Sequence, residues 1–546
     1  MLLSSLAILA FLPRAISSGQ QNDDSLPEAS DFDVTQALLA KDAGMLEFLQ
    51  SVDFGKSDEE ETEKGPCSTA CLALQNGYGP KHILREDSPG YPTGFWSNNQ
   101  AETKPACVFK AVDAESISKI VLISRLTNCP FAVKSGGHAS FPGSSNIEGG
   151  ITVSFENMKP LEISEDRSIA TIEPGYKWGE VYTELAKSDL TVVGGRVASV
   201  GTGGLTTGGG ISFFSNLYGW ACDNVASYEV VIATGEIVTA SPATNPDLYF
   251  ALRGGGPNFG IVTKFSYVTY PLPSGQVWGG TRTYLKDAFP AALHAFTTVA
   301  QQASSDPKAG SWLSFLNYNG SKLCAAEMHY AQPDGHNATI FAPYAAIPSI
   351  ADDTANRDLA SYAGKIEASA PPGFREYFYV MTMKMDEELN GVAKDLFFDL
   401  VESVAGVKGG FTAMTLQAIT VAQMGHMGKN GGNPLGLKSE EGPLTLILLN
   451  PRWERKQDDA VMYEFGSGLF KKIKRAAEER GLQNDYLYMN YAAEFQDVIA
   501  SYGKENKERL VGIAKKWDPK GVFQTLSPGY FKLEGPPTKG TDLFSF

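Results

Sequence analysis

Short apolar segments along the chain have either alternating or helical spacing, and breaks rich in glycine and proline separate them. Helical spacing occurs at Ile117, Ile120 and Val121 and again between Trp178 and Leu185. Alternating or short apolar runs predict strands at 131–134, 151–155, 169–173, 228–233, 237–240 and 260–267. Thr234-Gly235 would join two of these strands as a hairpin.

The segment Pro271-Leu272-Pro273-Ser274-Gly275 interrupts this pattern, and we predict a domain boundary there. Beyond it, residues 408–417 and 444–449 have strand character, whereas 457–481 and 504–516 have long helical patterns. Strands and helices mixed in this way predict an α+β fold.

The N-terminal region predicts export. Residues 2–12 are apolar and small residues follow, which is typical of a secretory signal cleaved near Ser18, although no Lys or Arg precedes the run. A buried N-terminal helix is the alternative. Residues 19–66 predict a solvated acidic extension with a helix near 34–49. No other segment is long and apolar enough to span a bilayer, so we expect a secreted protein without a membrane partner.

Charge excludes one class of partner. The chain has 546 residues, with 46 Lys and Arg against 62 Asp and Glu, and a formal net charge of −16. Nucleic-acid binding requires a basic face, so no nucleic-acid partner is expected. Apolar residues make up 43% of the chain, which indicates a folded globular protein. Nothing in the sequence indicates an oligomeric state.

Cysteine usage agrees with export. Four of the six cysteines are close together in the sequence: Cys67, Cys71, Cys107 and Cys129. In an exported chain this clustering predicts two disulfides, with the pairing left open. A zinc site is the competitor, but no C-x₂-C pair is present. The triplets beginning at Asn319 and Asn337 are N-glycosylation acceptors, so we expect a glycoprotein.

Three glycine-rich segments stand beside predicted strands: Ser135-Gly136-Gly137-His138, the run from Gly201 to Gly210, and Gly254-Gly255-Gly256 with its continuation to Thr263. Glycine allows successive backbone N–H groups to point at one anion, as a pyrophosphate requires. The sequence lacks a P-loop, and the first segment lacks the G-x-G-x-x-G of a dinucleotide Rossmann unit. Any one segment alone could be a plain turn.

These segments resemble known flavin loops. Val133-Lys134-Ser135-Gly136-Gly137-His138 resembles the covalent-histidine loop of the FAD-linked oxidoreductases of the vanillyl-alcohol oxidase type, which have a PCMH-type FAD domain. The second and third glycine segments resemble the other flavin loops of that family. Tyr488-Met489-Asn490-Tyr491 and the segment from Trp517 to Phe523 resemble the C-terminal part of its berberine-bridge-enzyme-like branch, and Gly210-Ile211-Ser212-Phe213-Phe214 is of fungal type.

The N-terminal residue pattern and the resemblance together predict a domain plan. Residues 1–18 would be the signal peptide and 19–66 the acidic extension. Residues 67–275 would form the PCMH-type FAD-binding domain, 276–480 an inserted substrate-binding α+β domain, and 481–535 a C-terminal segment that contacts the flavin.

The same resemblance implies a covalently bound FAD. His138 would be bonded to the 8α-methyl carbon of the flavin; the alternative is a loop histidine that caps a carbonyl. The other residues expected to bind FAD are Ser135, Gly136, Gly137, Ala139, Val200, Gly201, Gly203, Gly204, Gly208, Gly209, Gly260, Ile261, Val262 and Asn490. Some relatives have a second link through a cysteine, but Val197 occupies that position, and Cys222 is expected to be a buried thiol.

The resemblance also indicates the catalytic residues. Tyr491 matches a tyrosine that acts as a base, and Tyr488 matches its neighbour; either could instead stack near the ring. Tyrosine has an ordinary pKa near 10, so a base role requires stabilisation of the phenolate. Val200 matches a position that influences oxygen access in oxidases, or else is a core residue. Leu448 and Ser140 depart from the family pattern, which favours a hydrophobic natural product over a sugar as substrate.

Three functions follow from these expectations. The first is a secreted oxidase that transfers hydride from an alcohol carbon of a small molecule, a natural product or a sugar, to FAD, with O₂ as acceptor and H₂O₂ as product. The second is a dehydrogenase of the same fold that uses another acceptor. The third is a secreted protein that retains flavin without catalysis. The remaining histidines have no metal-like spacing, so no metal is expected.

Overall fold

The computed structural model describes residues 28–52, 65–91, 94–318 and 320–538. The predicted signal segment, the acidic run from Asp58 to Glu63 and Asn319 of the first glycosylation triplet lie outside the described residues. Strands and helices are mixed throughout, which confirms the predicted α+β class.

The first sheet carries the strand that precedes His138. Its strands, in spatial order, are Ile83–Leu84, Cys107–Lys110, Ile151–Ser154 and Phe131–Lys134. The last three are mutually parallel. The connection between the second and fourth strands is the helix Ala114–Thr127, whose first turn is capped by Asp113. The buried apolar face of this helix includes Ile117, Ile120 and Val121, as its spacing predicted.

The second sheet is antiparallel and is organised around one long strand, Ile261–Pro271, which pairs with three others. The strands of this sheet are Leu161–Ile163, Ile169–Ile172, Leu190–Val192, Val225–Val231, Ile237–Ala240 and Ile261–Pro271. The predicted hairpin is confirmed, because Val225–Val231 and Ile237–Ala240 are adjacent and antiparallel.

The third sheet forms after the proline-rich break. Its strands are Gln276–Leu285, Ala309–Tyr318, Ser321–Tyr330, Ala351–Asp352, Ala355–Asp358, Tyr379–Lys384, Ala413–Ile419, Leu444–Leu449 and Gln483–Asn484. Neighbouring strands in this sheet are antiparallel. The short strands Arg375–Glu376 and Arg452–Trp453 pair separately.

Helices surround these sheets. The described α-helices are Val34–Lys41, Ala43–Ser51, Pro66–Tyr78, Asn98–Ala101, Ala114–Thr127, Trp178–Ala186, Thr202–Thr207, Ser215–Tyr218, Pro246–Leu252, Phe289–Gln301, Ala342–Ala345, Leu359–Ala368, Glu387–Leu400, Val421–Met424, Asp459–Glu478, Val498–Ser501, Lys504–Trp517 and Val522–Thr525. Phe289–Gln301, Glu387–Leu400 and Asp459–Glu478 share one apolar core with the third sheet. Within the described parts of the chain, no helix has the length and apolar character needed to cross a membrane.

Two predicted elements differ from the structure. The helix predicted at 34–49 is two helices, because Asp42 has an extended backbone and caps the second of them through the backbone N–H of Met45. The strand predicted from residue 408 begins at Ala413, because Gly409 has a φ of +66° and turns the chain before the strand starts.

Two disulfides fix the N-terminal helices to the first sheet. Cys67 bonds to Cys129 and Cys71 bonds to Cys107, which confirms the two predicted disulfides and settles their pairing. Cys67 and Cys71 both lie on the helix Pro66–Tyr78. The helix is therefore linked covalently to the strand that begins at Cys107 and to the turn before Phe131.

The C-terminal segment returns to the first sheet. The carboxylate of Asp518 accepts hydrogen bonds from the backbone N–H groups of Val522 and Phe523, which starts the last helix. The backbone N–H of Phe131 then donates to the carbonyl of Leu526. The domain limits themselves stay predictions, although the third sheet begins at Gln276 and its last strand ends at Asn484.

A buried ion pair joins three loops behind the glycine segments. Arg253 and Asp223 have fully buried side chains, with 3.0 Å between Nη2 and Oδ1. Arg253 also donates to the carbonyls of Cys222, Lys429 and Gly432, and Asp223 accepts from the backbone N–H of Trp220. Both charges therefore have several hydrogen-bond partners, as a buried pair requires.

We expect Asp223→Asn to lower the free energy of unfolding by about 3–5 kcal/mol, because the buried Arg253 charge would lose its counter-ion. Urea unfolding followed by tryptophan fluorescence measures the change. The control is Glu479→Gln, which removes an exposed pair with Arg475 and should cost about 0–1 kcal/mol. Equal losses in the two variants would contradict this account of the buried pair.

Candidate active site

A cavity of about 540 Å³ lies between the glycine-rich loops and the third sheet. The loops and the C-terminal segment form one wall. The opposite wall consists of side chains from the third sheet and from neighbouring loops, and many of them are apolar or aromatic: Trp312, Leu316, Phe378, Phe411 and Leu448. This volume is in the range of small-molecule and cofactor sites.

The first two glycine loops meet backbone to backbone. A Cβ atom on Gly136 would lie 2.2 Å from the backbone nitrogen of Gly201, and one on Gly201 would lie 2.2 Å from the nitrogen of Gly136. Ser135 connects the same loops, because its hydroxyl donates to the carbonyl of Pro174 and accepts from the backbone N–H of Gly203. Any side chain at the two glycines would separate the loops.

The third loop and the C-terminal segment complete this wall. Gly256 has a φ of +65°, and its backbone N–H donates to the carbonyl of Thr207. Asn490 donates to the carbonyl of Leu205 and to the hydroxyl of Tyr488. A Cβ atom on Gly208 would lie 2.2 Å from the Asn490 amide oxygen, so Gly208 permits this close approach.

His138 lies at the end of the first loop with its ring against Trp96. The two rings are stacked with centroids 4.6 Å apart, and Trp96 stacks on Phe378 as well, at 5.0 Å. The Nε2 atom of His138 is buried and has no hydrogen-bond partner among the described residues. Burial lowers the pKa of His138 to about 4, so its imidazole is neutral near pH 7 and retains a free lone pair.

These features fit FAD. Backbone N–H groups at closely approaching glycines can contact a pyrophosphate, and Gly204 lines the cavity with open space where a Cβ would stand. The unpartnered nitrogen of His138 in the cavity wall is a buried polar atom of the kind that a bound group satisfies. Residues of all three loops would hold the cofactor.

Most of the predicted FAD-binding residues line the cavity. These are Ser135, Gly136, Gly137, His138, Ala139, Val200, Gly201, Gly203, Gly204, Gly260, Ile261, Val262 and Asn490. Gly208 and Gly209 do not; they lie behind the wall, where Gly208 faces Asn490 and Gly209 faces the ring of Trp220. A direct contact of these two glycines with FAD therefore has no support from their position.

Tyr488 and Tyr491 both line the cavity but differ in their surroundings. The Tyr488 hydroxyl accepts hydrogen bonds from the backbone N–H of Ile211 and from Asn490, and burial raises its pKa above the ordinary value. Tyr488 therefore stays protonated near pH 7. The Tyr491 hydroxyl instead accepts a 2.7 Å hydrogen bond from the Arg196 guanidinium.

Arg196 is held by two strands of the third sheet. Its guanidinium lies 4.8 Å from the ring centroid of Trp312 and donates at 2.6 Å to the side-chain oxygen of Gln417. Trp312 and Gln417 are direct partners in neighbouring strands. Arg196 therefore joins the loop before Gly201, the third sheet and the C-terminal Tyr491.

Sequence reasoning missed Arg196, Gln417, Trp312, Trp96, Phe378 and Glu376, all of which line the cavity. For Arg196 a sequence signal existed: a charged residue directly follows Gly194-Gly195 at the end of an apolar run. The others come from distant segments that only the tertiary fold brings together.

The structure also locates the residues that depart from the family pattern. Val197 and Leu448 line the cavity, whereas Ser140 is buried outside it and accepts a hydrogen bond from the backbone N–H of Phe378. Cys222 and Cys324 are buried free thiols, and no cysteine lines the cavity within the described ranges. The described residues contain no cluster of histidine, cysteine and acidic side chains suited to a metal.

Two family models match the chain. A model described as FAD binding domain matches residues 105–241, and one described as berberine and berberine like matches residues 487–526. The first match contains two of the glycine loops and His138, and the second contains Tyr488, Asn490 and Tyr491.

Curated relatives align over most of the chain. The FAD-dependent monooxygenase tpcD of Cochliobolus heterostrophus is 37% identical over 522 residues, which covers 90% of this chain and 99% of the relative. The bifunctional solanapyrone synthase of Alternaria solani is 32% identical and covers 87% of this chain and 91% of the relative.

Solved structures share the fold. The 6-hydroxy-D-nicotine oxidase of Arthrobacter nicotinovorans aligns with a TM-score of 0.67 and 21% identity, over 81% of this chain and 96% of that one. The xylooligosaccharide oxidase of Myceliophthora thermophila aligns with a TM-score of 0.68 and 21% identity, over 86% of this chain and 100% of that one. From the loops, the cavity and the aligned relatives together, the chain belongs to the berberine-bridge-enzyme-like family of FAD-dependent oxidoreductases with a PCMH-type FAD-binding fold.

Proposed function

We propose that this protein is a secreted oxidase that removes hydride from an alcohol carbon of a hydrophobic small molecule, with FAD linked covalently to His138 and O₂ as the final acceptor that yields H₂O₂. One observation carries the proposal: His138, which has an unpartnered buried ring nitrogen, and Tyr491, whose hydroxyl is held by Arg196, line the same cavity. When bound, FAD supplies the hydride acceptor.

His138 provides the attachment point. Its imidazole is neutral because burial lowers its pKa to about 4, and a neutral imidazole is a nucleophile. Stacking on Trp96 fixes the orientation of the ring, and the contact between Gly136 and Gly201 fixes the loop that carries it.

Tyr491 is the proposed base for the substrate hydroxyl. The cation of Arg196 lies 2.7 Å from the phenol oxygen, so a negative charge at that oxygen would have an adjacent counter-ion. Arg196 acts through Tyr491 and is a positioning residue. Tyr488 is protonated, and its proposed role is to hold Asn490 and the second glycine loop in place.

The opposite wall of the cavity favours a hydrophobic substrate. Trp312, Leu316, Phe378, Phe411 and Leu448 present large apolar surfaces, although polar side chains such as Gln417 and Asn450 line the same cavity. The natural-product substrate is therefore preferred to the oligosaccharide.

Two further parts of the proposal concern oxygen and the compartment. Val200 lines the cavity beside Gly201, where its small side chain would leave O₂ access to the cofactor. The two disulfides favour an oxidising compartment, and Asn337 is exposed, as a glycosylated residue must be.

We expect His138→Ala to abolish covalent attachment of flavin. Wild-type protein denatured in acid should keep flavin fluorescence with its band on a gel, whereas the variant should release any flavin that it binds. The control is His336→Ala, an exposed histidine outside the cavity, which should retain covalent flavin. Covalent flavin in His138→Ala would contradict the proposed link.

We expect Tyr491→Phe to lower the rate of flavin reduction by an oxidisable alcohol by about 10²- to 10⁴-fold, because the proton acceptor is removed. Stopped-flow absorbance of the flavin measures this rate. Tyr318→Phe, at an exposed tyrosine, is the control and should leave the rate unchanged. Arg196→Gln should also lower this rate although Tyr491 is retained, since a negative charge at the phenol oxygen would lose its adjacent cation; an unchanged rate would argue against Arg196.

The acceptor is tested with ¹⁸O₂. An oxidase should form one H₂O₂ per substrate oxidised and leave the product unlabelled. Relatives such as tpcD are named monooxygenases, and ¹⁸O in the product would favour that chemistry. Turnover that requires a dye and forms no H₂O₂ would indicate a dehydrogenase.

A further inference from the structure

The cavity contains a buried carboxyl that the proposed reaction does not use. Glu376 is 1% exposed and lines the cavity. Its Oε2 accepts a 3.1 Å hydrogen bond from the Asn450 amide, and Asn450 also lines the cavity. Its Oε1 is buried and has no hydrogen-bond partner in the described part of the chain.

No cation forms an ion pair with Glu376 in the described residues. Arg375, the next residue, points to other partners, with salt bridges to Glu102 and Asp459. Arg452, on the strand paired with Glu376, lies over the rings of Phe374 and Phe411. Its charge acts on Glu376 from a distance and lowers the pKa of that carboxyl less than burial raises it.

Glu327, the second carboxyl that lines the cavity, differs from Glu376 in its partners. Glu327 accepts from the Tyr362 hydroxyl at 2.7 Å and lies 3.3 Å from the Lys365 ammonium. That carboxylate has a cationic partner and two oxygens that accept hydrogen bonds. Among the described residues that line the cavity, Glu376 is the carboxyl left with an unpartnered oxygen.

A buried carboxyl without a counter-ion is neutral near pH 7, because removing its charge from water costs more than protonation. Burial raises the pKa of Glu376 to about 8. A neutral carboxyl differs from a carboxylate in that it can donate one hydrogen bond, here from Oε1 while Oε2 accepts from Asn450.

We propose that Glu376 and Asn450 form a subsite for a neutral carbonyl oxygen of the substrate, with the Glu376 carboxyl as the hydrogen-bond donor. The ligand class is an aromatic ketone or a similar planar compound, because Phe378 lies two residues away and Phe411 lines the same cavity. The carbonyl bound here is distinct from the hydroxyl that is oxidised. This proposal rests on the proposed function in taking the cavity as the substrate site.

The surroundings of Glu376 also disfavour a cationic ligand. An ammonium group would require the ionised carboxylate, which burial disfavours, and it would be repelled by the Arg452 guanidinium. A carboxylate ligand would be repelled by Glu376 whenever that residue ionises. A neutral oxygen that accepts a hydrogen bond is therefore the ligand group that Glu376 and Asn450 can bind.

The test uses the oxidised, flavin-containing protein and two probes of similar size, acetophenone and 1-phenylethylamine, with binding measured by calorimetry. Wild type should bind acetophenone more tightly than the amine at pH 7. Its affinity for acetophenone should fall about tenfold from pH 7 to pH 9, since ionisation above a pKa of about 8 removes the donor.

Two variants separate hydrogen bonding from folding. Glu376→Gln keeps a neutral N–H donor, so its affinity for acetophenone should not change between pH 7 and pH 9. Glu376→Met removes the donor and should weaken binding about tenfold at pH 7. The flavin absorption spectrum and the unfolding midpoint of each variant verify that the fold is retained.

A second readout does not depend on any ligand. The infrared difference between wild type and Glu376→Gln at pH 7 should contain the C=O band of a neutral carboxylic acid, and this band should disappear near pH 9. The subsite would be overturned if wild type bound the amine more tightly than acetophenone or did not bind acetophenone. It would also be overturned if Glu376→Met bound acetophenone with unchanged affinity. If wild-type protein had no covalent flavin or did not oxidise alcohols, that result would count against the proposed function and not against the subsite.

Discussion

The site depends on one backbone contact, that between Gly136 and Gly201. These residues lie in loops that follow strands of different sheets, Phe131–Lys134 and Leu190–Val192, and a Cβ on either would lie 2.2 Å from the other's backbone nitrogen. The contact places His138, two residues after Gly136, in the same cavity wall as Val200, which precedes Gly201. A larger residue at either glycine would separate the loops and move the histidine away from the cavity, whatever its own side chain could do.

A second interaction, that of Arg196, connects this wall to the rest of the molecule. The guanidinium contacts Trp312 and Gln417 from the third sheet and donates to Tyr491 from the C-terminal segment. Three stretches of chain that are distant in sequence therefore meet at one cation. The position of the proposed base, Tyr491, therefore depends on how the second and third sheets are placed relative to each other, and not on the C-terminal segment alone.

The spacing of apolar residues was sufficient to predict many helices and strands, but it could not predict which residues line the cavity. The strands Phe131–Lys134 and Leu444–Leu449 and the helix Ala114–Thr127 follow from apolar spacing and clear end signals. The division of the N-terminal helix at Asp42 depends on a single side-chain cap that competes with helix continuation. Glu376, Phe378 and Trp312 have no motif, since their roles arise only when the third sheet packs against the glycine loops, and periodicity contains no information about such distant contacts.

The charge state of the cavity unifies these observations. Burial keeps His138 neutral by lowering its pKa and keeps Glu376 neutral by raising its pKa, so desolvation acts on both groups in the same sense. Lys365 is compensated by Glu327. Arg196 differs, because the side chains that accept its hydrogen bonds, Gln417 and Tyr491, are both uncharged in their ordinary forms. A negative charge at Tyr491 would therefore lie beside the Arg196 cation, whereas Glu376 and His138 are desolvated and neutral, and the cation on the strand paired with Glu376 is Arg452.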